Sequence, residues 1–347
     1  MVGAGLASAW GLGACGRTRY VDVLAPPSSL RPAILGLFER KTGIQVRPSA
    51  WVSPTDAFAK VLSSGARTDL VVGIVDLFTP LVQEAVSRGL VLALDQSKLP
   101  KAQELSEAFR ADMCFVDGRL YMMPLYWGYT SVLYNRAAIS PSDPLINSWG
   151  LLFDDRFKGR VALRDDAHES IAAAALYLGH RQPLTMDRAE VNSVKAFLIS
   201  KKSNFRALWS NFAEAIQLMA TGEVSAIYGQ PVLAQELANQ GIGVEKNLPK
   251  EGLLMFVQGA LIPQGALHPG YANEWLQFLL SDDVGTKLTQ EAAVLSPLES
   301  VRRQFEPASR TASFGYEALS AGTPLIRLGR PQLLDAWIEA WAEFKAA

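Results

Sequence analysis

The stretch YMMPLYWGYTSVLYN, residues 121–135, decides the fold. It is long for one strand and rich in the aromatic and β-branched side chains that suit a pleated, buried surface. A second apolar run, LLMFVQGALI at 253–262, stands as its counterpart. Before the first run, strand patterns at 20–25, 44–47 and 69–72 alternate with helical patterns at 32–41, 56–63 and 79–88. Asp117-Gly118 marks a hairpin turn just ahead of it. Between the runs lies another α/β series. It has strands at 160–163 and 224–228, and helices expected at 171–178 and 205–220. Helices at 271–280, 284–292 and 333–344 follow, the last with Trp337, Trp341 and Phe344 on one face. Alternating strands and helices imply a parallel or mixed sheet covered on both faces. Two long runs that isolate a middle α/β segment imply two α/β lobes joined by two crossover strands, with a ligand cleft between them.

Charge and composition exclude several functions. Lys and Arg number 33 against 34 Asp and Glu, a net charge of −1, so the basic excess of a nucleic-acid binder is missing. The cysteines, Cys15 and Cys114, and the histidines, His168, His180 and His268, are scattered without zinc-ligand spacing. No P-loop, Gly-x-Ser-x-Gly or His-Glu-x-x-His string is present, so neither an enzyme nor a cofactor is expected. The opening MVGAGLASAWGLGACG is small, apolar and uncharged. It is shorter than the ~20 residues a membrane span needs and looks like the tail of a signal peptide. Leu12-Gly13-Ala14-Cys15 has the form of a bacterial lipobox, which makes Cys15 a candidate for lipidation. Export to the periplasm or extracytoplasmic face is the expectation.

Local strings point to a family. Among them are Lys41-Thr42-Gly43-Ile44, Thr68-Asp69-Leu70-Val71-Val72 and Met123-Pro124-Leu125-Tyr126-Trp127-Gly128. Ser148-Trp149, then Leu152-Phe153-Asp154, lead into Phe157-Lys158-Gly159 and Asp165-Asp166-Ala167-His168-Glu169, with Pro249-Lys250-Glu251-Gly252 further on. In order and spacing they resemble the spermidine/putrescine-binding proteins of ABC importers, of the extracellular solute-binding family 1 type, over nearly the whole chain after residue 18. The resemblance implies a type II periplasmic-binding fold that closes on a small solute and delivers it to a membrane permease. It implies a first lobe of 18–128 and 259–320, a second of 129–258, a leader at 1–17, and a C-terminal helix at 321–347 packed near the lobe boundary. A monomer is expected.

Asp166 and Glu169 lie three apart at a helix start, where they form a capping box or, as the resemblance implies, receive an ammonium group. Tyr228 and Phe256 fall on the family's tryptophan positions. Trp127, Tyr129 and Trp51 are further aromatic candidates for cation–π contact. The departures are informative: the family's central acid is Gln258, its aromatic pair after the first strand is Pro26 and Ser29, and a glutamine becomes Arg327. Asp76 offers a replacement acid. An arginine in the pocket would pair with a carboxylate or phosphate. The solute is therefore expected to be a polyamine or a zwitterion, with its amine toward Asp166 and Glu169 and an anionic end toward Arg327. A ligand sensor on the same fold is the main alternative. An enzyme, or a ferric-ion binder using Tyr126, Tyr129 and Tyr134, ranks below it.

Overall fold

A computed structural model describes residues 19–26, 29–51, 54–62, 68–305, 316 and 322–347. Cys15 and the leader lie outside these residues. Along the chain the strands are β1 (Tyr20–Ala25), β2 (Gln45–Ala50), β3 (Leu70–Ile74), β4 (Val91–Leu92), β5 (Cys114–Val116), β6 (Arg119–Asn135), β7 (Val161–Arg164), β8 (Phe205–Trp209), β9 (Ala226–Gly229), β10 (Val244–Lys246), β11 (Leu253–Pro263) and β12 (Leu325–Arg327). The α-helices are α1 (Pro32–Thr42), α2 (Pro54–Leu62), α3 (Val75–Ser87), α4 (Glu107–Arg110), α5 (Ala167–Tyr177), α6 (Arg188–Ser200), α7 (Phe212–Ala220), α8 (Pro231–Asn239), α9 (Pro269–Leu279), α10 (Asp282–Ala292), α11 (Glu299–Gln304) and α12 (Leu334–Ala346).

The central sheet runs β2-β1-β3-β11-β6-β9-β7-β8. Strands β2, β1 and β3 are parallel, as are β8, β7 and β9. The antiparallel pair β6 and β11 stands between these halves, so the two long runs are the shared spine. Each half carries its own core. One contains Val21 to Tyr129 and, from β11, Leu253, Met255 and Val257. The other contains Val132 to Leu237, then Val244 and Leu254. On β6 the change of core falls at Thr130 and Ser131, two buried polar residues in an otherwise apolar run. On β11, Leu254 joins the second core, flanked by Leu253 and Met255 in the first.

The chain crosses a third time. Strand β12 lies parallel to the start of β11, and Leu328 then enters the second core. Helix α12 packs on the second lobe, against α5 and α6. Its stripe of Trp337, Trp341 and Phe344 is buried there. Asp165 fixes the same helix by accepting from Trp341 Nε1 at 2.8 Å and Lys345 Nζ at 3.0 Å. The single helix expected over 205–220 is instead β8 followed by α7. Residues 205–209 are drawn into the sheet beside β7, and Trp209 Nε1 donates to the Tyr228 carbonyl. Asn211 then caps α7 through the Glu214 N–H.

Candidate functional site

Strand ends and helix starts deliver charge to the junction of the lobes, where open α/β sheets place their ligands. On the second lobe, β7 ends at Arg164 and α5 begins after Asp166. Asp166 accepts the Glu169 N–H at 2.9 Å, so it caps the helix. Glu169 does not complete a capping box. Its carboxylate turns to Arg164, at 3.0 Å, and lies within hydrogen-bonding reach of the Tyr228 hydroxyl. That hydroxyl also shares a hydrogen bond of 2.7 Å with Thr130 Oγ1. Burial raises the Glu169 carboxyl, and Arg164 pulls it back. Burial holds the Tyr228 phenol well above its ordinary value. A network of Arg164, Glu169, Tyr228 and Thr130 thus ties the helix start to the spine at the point where the core changes.

On the first lobe, β3 runs directly into α3, with Asp76 in the first turn of the helix. Arg327, at the end of β12, donates through Nε to Asp76 at 3.0 Å and through Nη1 to Asp112 at 3.0 Å. Its Nη2 lies 2.8 Å from each carboxylate. The Arg327 side chain is 31% exposed, against 22% for Asp76 and 8% for Asp112. Burial raises the Asp76 carboxyl, and Arg327 offsets part of that rise. Gly329 follows closely, so near that a Cβ there would stand 3.2 Å from Asp76 Cβ and 3.5 Å from Leu184 on the second lobe.

The spine supplies the floor. Phe256, half-buried, faces Gly128 across the β11–β6 pair, and a Cβ on Gly128 would stand 2.5 Å from its ring. Glycine is required there by the close approach of the ring. Two residues on, and so on the same face, Gln258 lies opposite Tyr126 and Ile74. A register shift follows at Gln258/Gly259, the kind of bulge that re-aims a side chain. Gln258 is 5% exposed, and its Oε1 accepts no hydrogen bond among the described residues. One further pair spans the lobes: Arg31, at the start of α1, meets Glu236 of α8 at 3.3 Å.

The sequence candidates separate on this geometry. Asp76 pairs with Arg327, Asp166 and Glu169 stand at the start of α5, and Phe256 and Gln258 lie on β11 of the spine. Trp127 is buried against Phe109 in the first core, and Tyr129 is buried beside it. The Tyr228 ring is buried and stacks on Trp149, so only its hydroxyl serves the junction. Trp51 rests on the first core and donates from Nε1 to the Val72 carbonyl at 2.8 Å. Ser29 Oγ donates to the Pro26 carbonyl at 3.1 Å. Tyr126 and Tyr129 belong to the first core and Tyr134 to the second, so the three do not converge. Arg164, Asp112, Thr130, Arg31 and Glu236 are absent from the sequence reading. Thr130 carried a usable signal, a polar residue inside an apolar strand. Arg164 carried another, its place at a strand end just before an acidic helix cap.

Two sheet halves on a shared two-strand spine, with charge gathered between them, define a two-lobed solute-binding protein. Comparison with known families agrees. Residues 34–313 match the model for bacterial extracellular solute-binding proteins, and the chain belongs to that family. The putrescine/cadaverine-binding protein of Pseudomonas aeruginosa is 24% identical over 289 residues, covering 79% of this chain and 78% of that one. The spermidine/putrescine-binding periplasmic protein of Escherichia coli is 26% identical over 277 residues, covering 80% and 77%. Among solved structures, a putative spermidine/putrescine ABC transporter from Listeria monocytogenes superposes with a TM-score of 0.77 at 21% identity, covering 94% and 99%. The family is one of substrate-binding proteins and not of enzymes; its role is to capture a solute outside the cytoplasm and deliver it to an ABC permease.

Proposed function

We propose that this protein captures a small solute carrying an ammonium group, held between Glu169 on one lobe and Phe256 on the spine, for ABC import. The observation that carries this reading is the charge count at the junction. Three guanidinium groups, on Arg31, Arg164 and Arg327, face five carboxylates, on Glu236, Asp166, Glu169, Asp76 and Asp112. Every cation there is matched or outnumbered. Arg327 therefore has little to offer a carboxylate or phosphate, and the idea of an anionic solute end facing it loses its physical basis. A surplus of carboxylate favours a cationic ligand through charge-assisted hydrogen bonds. The half-buried Phe256 ring adds a face for methylenes or for the cation. The relatives' named solutes, putrescine, cadaverine and spermidine, are all amines, which supports the same class.

Lipid attachment at Cys15 and a monomeric state belong to this proposal too. An intact mass increased by a diacylglyceryl group on the exported protein would support the first. A thermal-shift screen tests the ligand class. At about 100 times its dissociation constant a specific amine stabilises the native state by roughly 2.7 kcal/mol. Stabilisation by organic anions and not by amines contradicts it. Import rather than sensing is tested by deleting the cognate permease, which should abolish uptake of the amine.

A further inference from the structure

The first lobe carries a built surface at the end away from the solute. Strands β1, β2 and β3 are parallel, so their C-terminal ends point to the junction and their N-terminal ends, at Tyr20, Gln45 and Leu70, share the far edge. The chain leaving β11 returns to that edge, and α9 starts there. Arginines and rings stack across it. Arg47 lies 3.3 Å from the Tyr20 ring centroid, and Tyr20 meets His268 edge-on at 4.5 Å. His268 stacks on Tyr271 at 5.6 Å, and Arg19 lies 5.0 Å from the Tyr271 ring. Asp69, 1% exposed, fixes this ladder from beneath, accepting from the backbone N–H of His268 at 2.7 Å and of Asp22 at 2.9 Å. Leu267, next to His268, is 59% exposed, more than any other large apolar side chain among the described residues. Glu274 stands 4.0 Å from Arg19, and with Asp22 and Asp69 it offsets the two arginines. What the surface offers is therefore ring and methylene area with guanidinium heads, not a strong field. Tyrosines with an apolar body and a polar tip, and arginines that extend along apolar surface, suit the headgroup layer of a bilayer.

We propose that this ladder, with Leu267, is the surface on which the anchored protein rests against the phospholipid bilayer. The inference rests on the lipid-attachment reading above and adds an orientation to it. The place of the patch on the chain selects its occupant. Arg19, at one end of the ladder, is the fourth residue after Cys15, and four residues span at most about 14 Å. A diacylglyceryl group on Cys15 keeps this edge, and not the junction, within that distance of the headgroups. The tether raises the effective concentration of the bilayer at the patch, so modest contacts are enough to hold it there. In this pose the N-terminal ends of β1, β2 and β3 face the membrane. Their C-terminal ends, and the solute site with them, face the medium from which solute is collected.

Fluorescence quenching in phosphatidylcholine vesicles tests the pose on the exported, lipid-anchored protein. One preparation carries a fluorophore on Leu267→Cys, and a second carries it on Ile338→Cys, an exposed position of α12 on the other lobe. Cys114 is 4% exposed and does not compete for the label. Lipids with a nitroxide near the headgroup should quench the label at Leu267→Cys several-fold more than the label at Ile338→Cys. Arg19→Glu with Arg47→Glu, added to the Leu267→Cys protein, replaces both exposed ends of the ladder with carboxylates. Quenching should then fall toward the Ile338→Cys level. Equal quenching at the two positions, or none at Leu267→Cys, in protein that floats with the vesicles overturns the inference and leaves the anchor reading standing. So does full quenching at Leu267→Cys in the doubly substituted protein. Protein that does not float with the vesicles removes the anchor reading, and this inference with it.

Discussion

Glu169 receives its charge partner from its own chain. Arg164 is 27% exposed, and its loss of the carboxylate partner leaves a largely buried cation uncompensated. Removing one member of a buried pair costs about 3–5 kcal/mol, whereas replacing both by apolar groups is often close to neutral. Glu169→Ala, which removes the carboxyl together with its contact to Arg164, should therefore lower stability by about 3 kcal/mol, the low end of that range, because Arg164 keeps some solvent, whereas Glu169→Gln keeps the shape, removes only a charge that burial already disfavours, and should change stability little. The double change Arg164→Met with Glu169→Leu should recover most of that loss in denaturant unfolding while leaving no amine binding. Titration gives a second expectation. Burial raises the carboxyls of both Glu169 and Asp76, so these protonate at a higher pH than ordinary Asp and Glu. A cationic solute needs them ionised, and its affinity should begin to fall above the ordinary carboxyl range of about 4 as the solution is acidified. The stability contribution runs the other way. With a raised folded pKa the native state binds the proton more readily than the unfolded chain, so these two groups add stability as pH falls through the raised values. Dissociation constants and unfolding midpoints measured across about pH 4–7 check both slopes.

The floor of the site is a matter of elements. Phe256 can lie over β6 only because Gly128 has no side chain. Gly128→Ala should displace the ring and cost about 1–3 kcal/mol, the range for overpacking a filled core. Gly128→Ala combined with Phe256→Leu should regain part of that stability in thermal unfolding without regaining affinity. The strings that carried the family resemblance prove to be joints of the same kind. Ser148 Oγ donates to Glu251 at 2.5 Å, and Trp149 Nε1 donates to the Gly252 carbonyl at 2.8 Å. Asn247 links the Ser148 carbonyl to the Val132 N–H. These residues fix the second lobe to the spine, which is why their order conveyed the fold so well. They touch little of the site. Asp166, Glu169 and Gln258 were legible because they sit in or beside such joints. Asp112 and Glu236 were not, because each reaches its partner across long sequence separations, 215 residues to Arg327 and 205 to Arg31. The helix expected over 205–220 failed for a related reason. Pairing with β7 outweighs the local helical pattern of residues 205–209, as tertiary context commonly does.

At the scale of the molecule, capture depends on the two lobes meeting. Arg31–Glu236 joins them directly and is only partly exposed, 29% and 35%. Arg31 Nε is buried with no acceptor among the described residues, so the pair is incompletely matched. Such a contact favours the closed arrangement without fixing it, and a solute that touches both walls shifts the same balance. Arg31→Ala and Glu236→Ala should each lower amine affinity by a similar factor, and the double change by little more than either alone, since both remove one interaction. Small-angle scattering of the unliganded double variant should show a larger radius of gyration than wild type. The account as a whole rests on an amine bound at Glu169 between the lobes. Its most direct test is calorimetric titration of wild type, Glu169→Gln and the exposed outer-surface control Glu107→Gln with the amine that gives the largest thermal shift. The account predicts one site per chain, at least about tenfold weaker binding in Glu169→Gln, and an unchanged constant in Glu107→Gln. Equal affinity in all three proteins would contradict it.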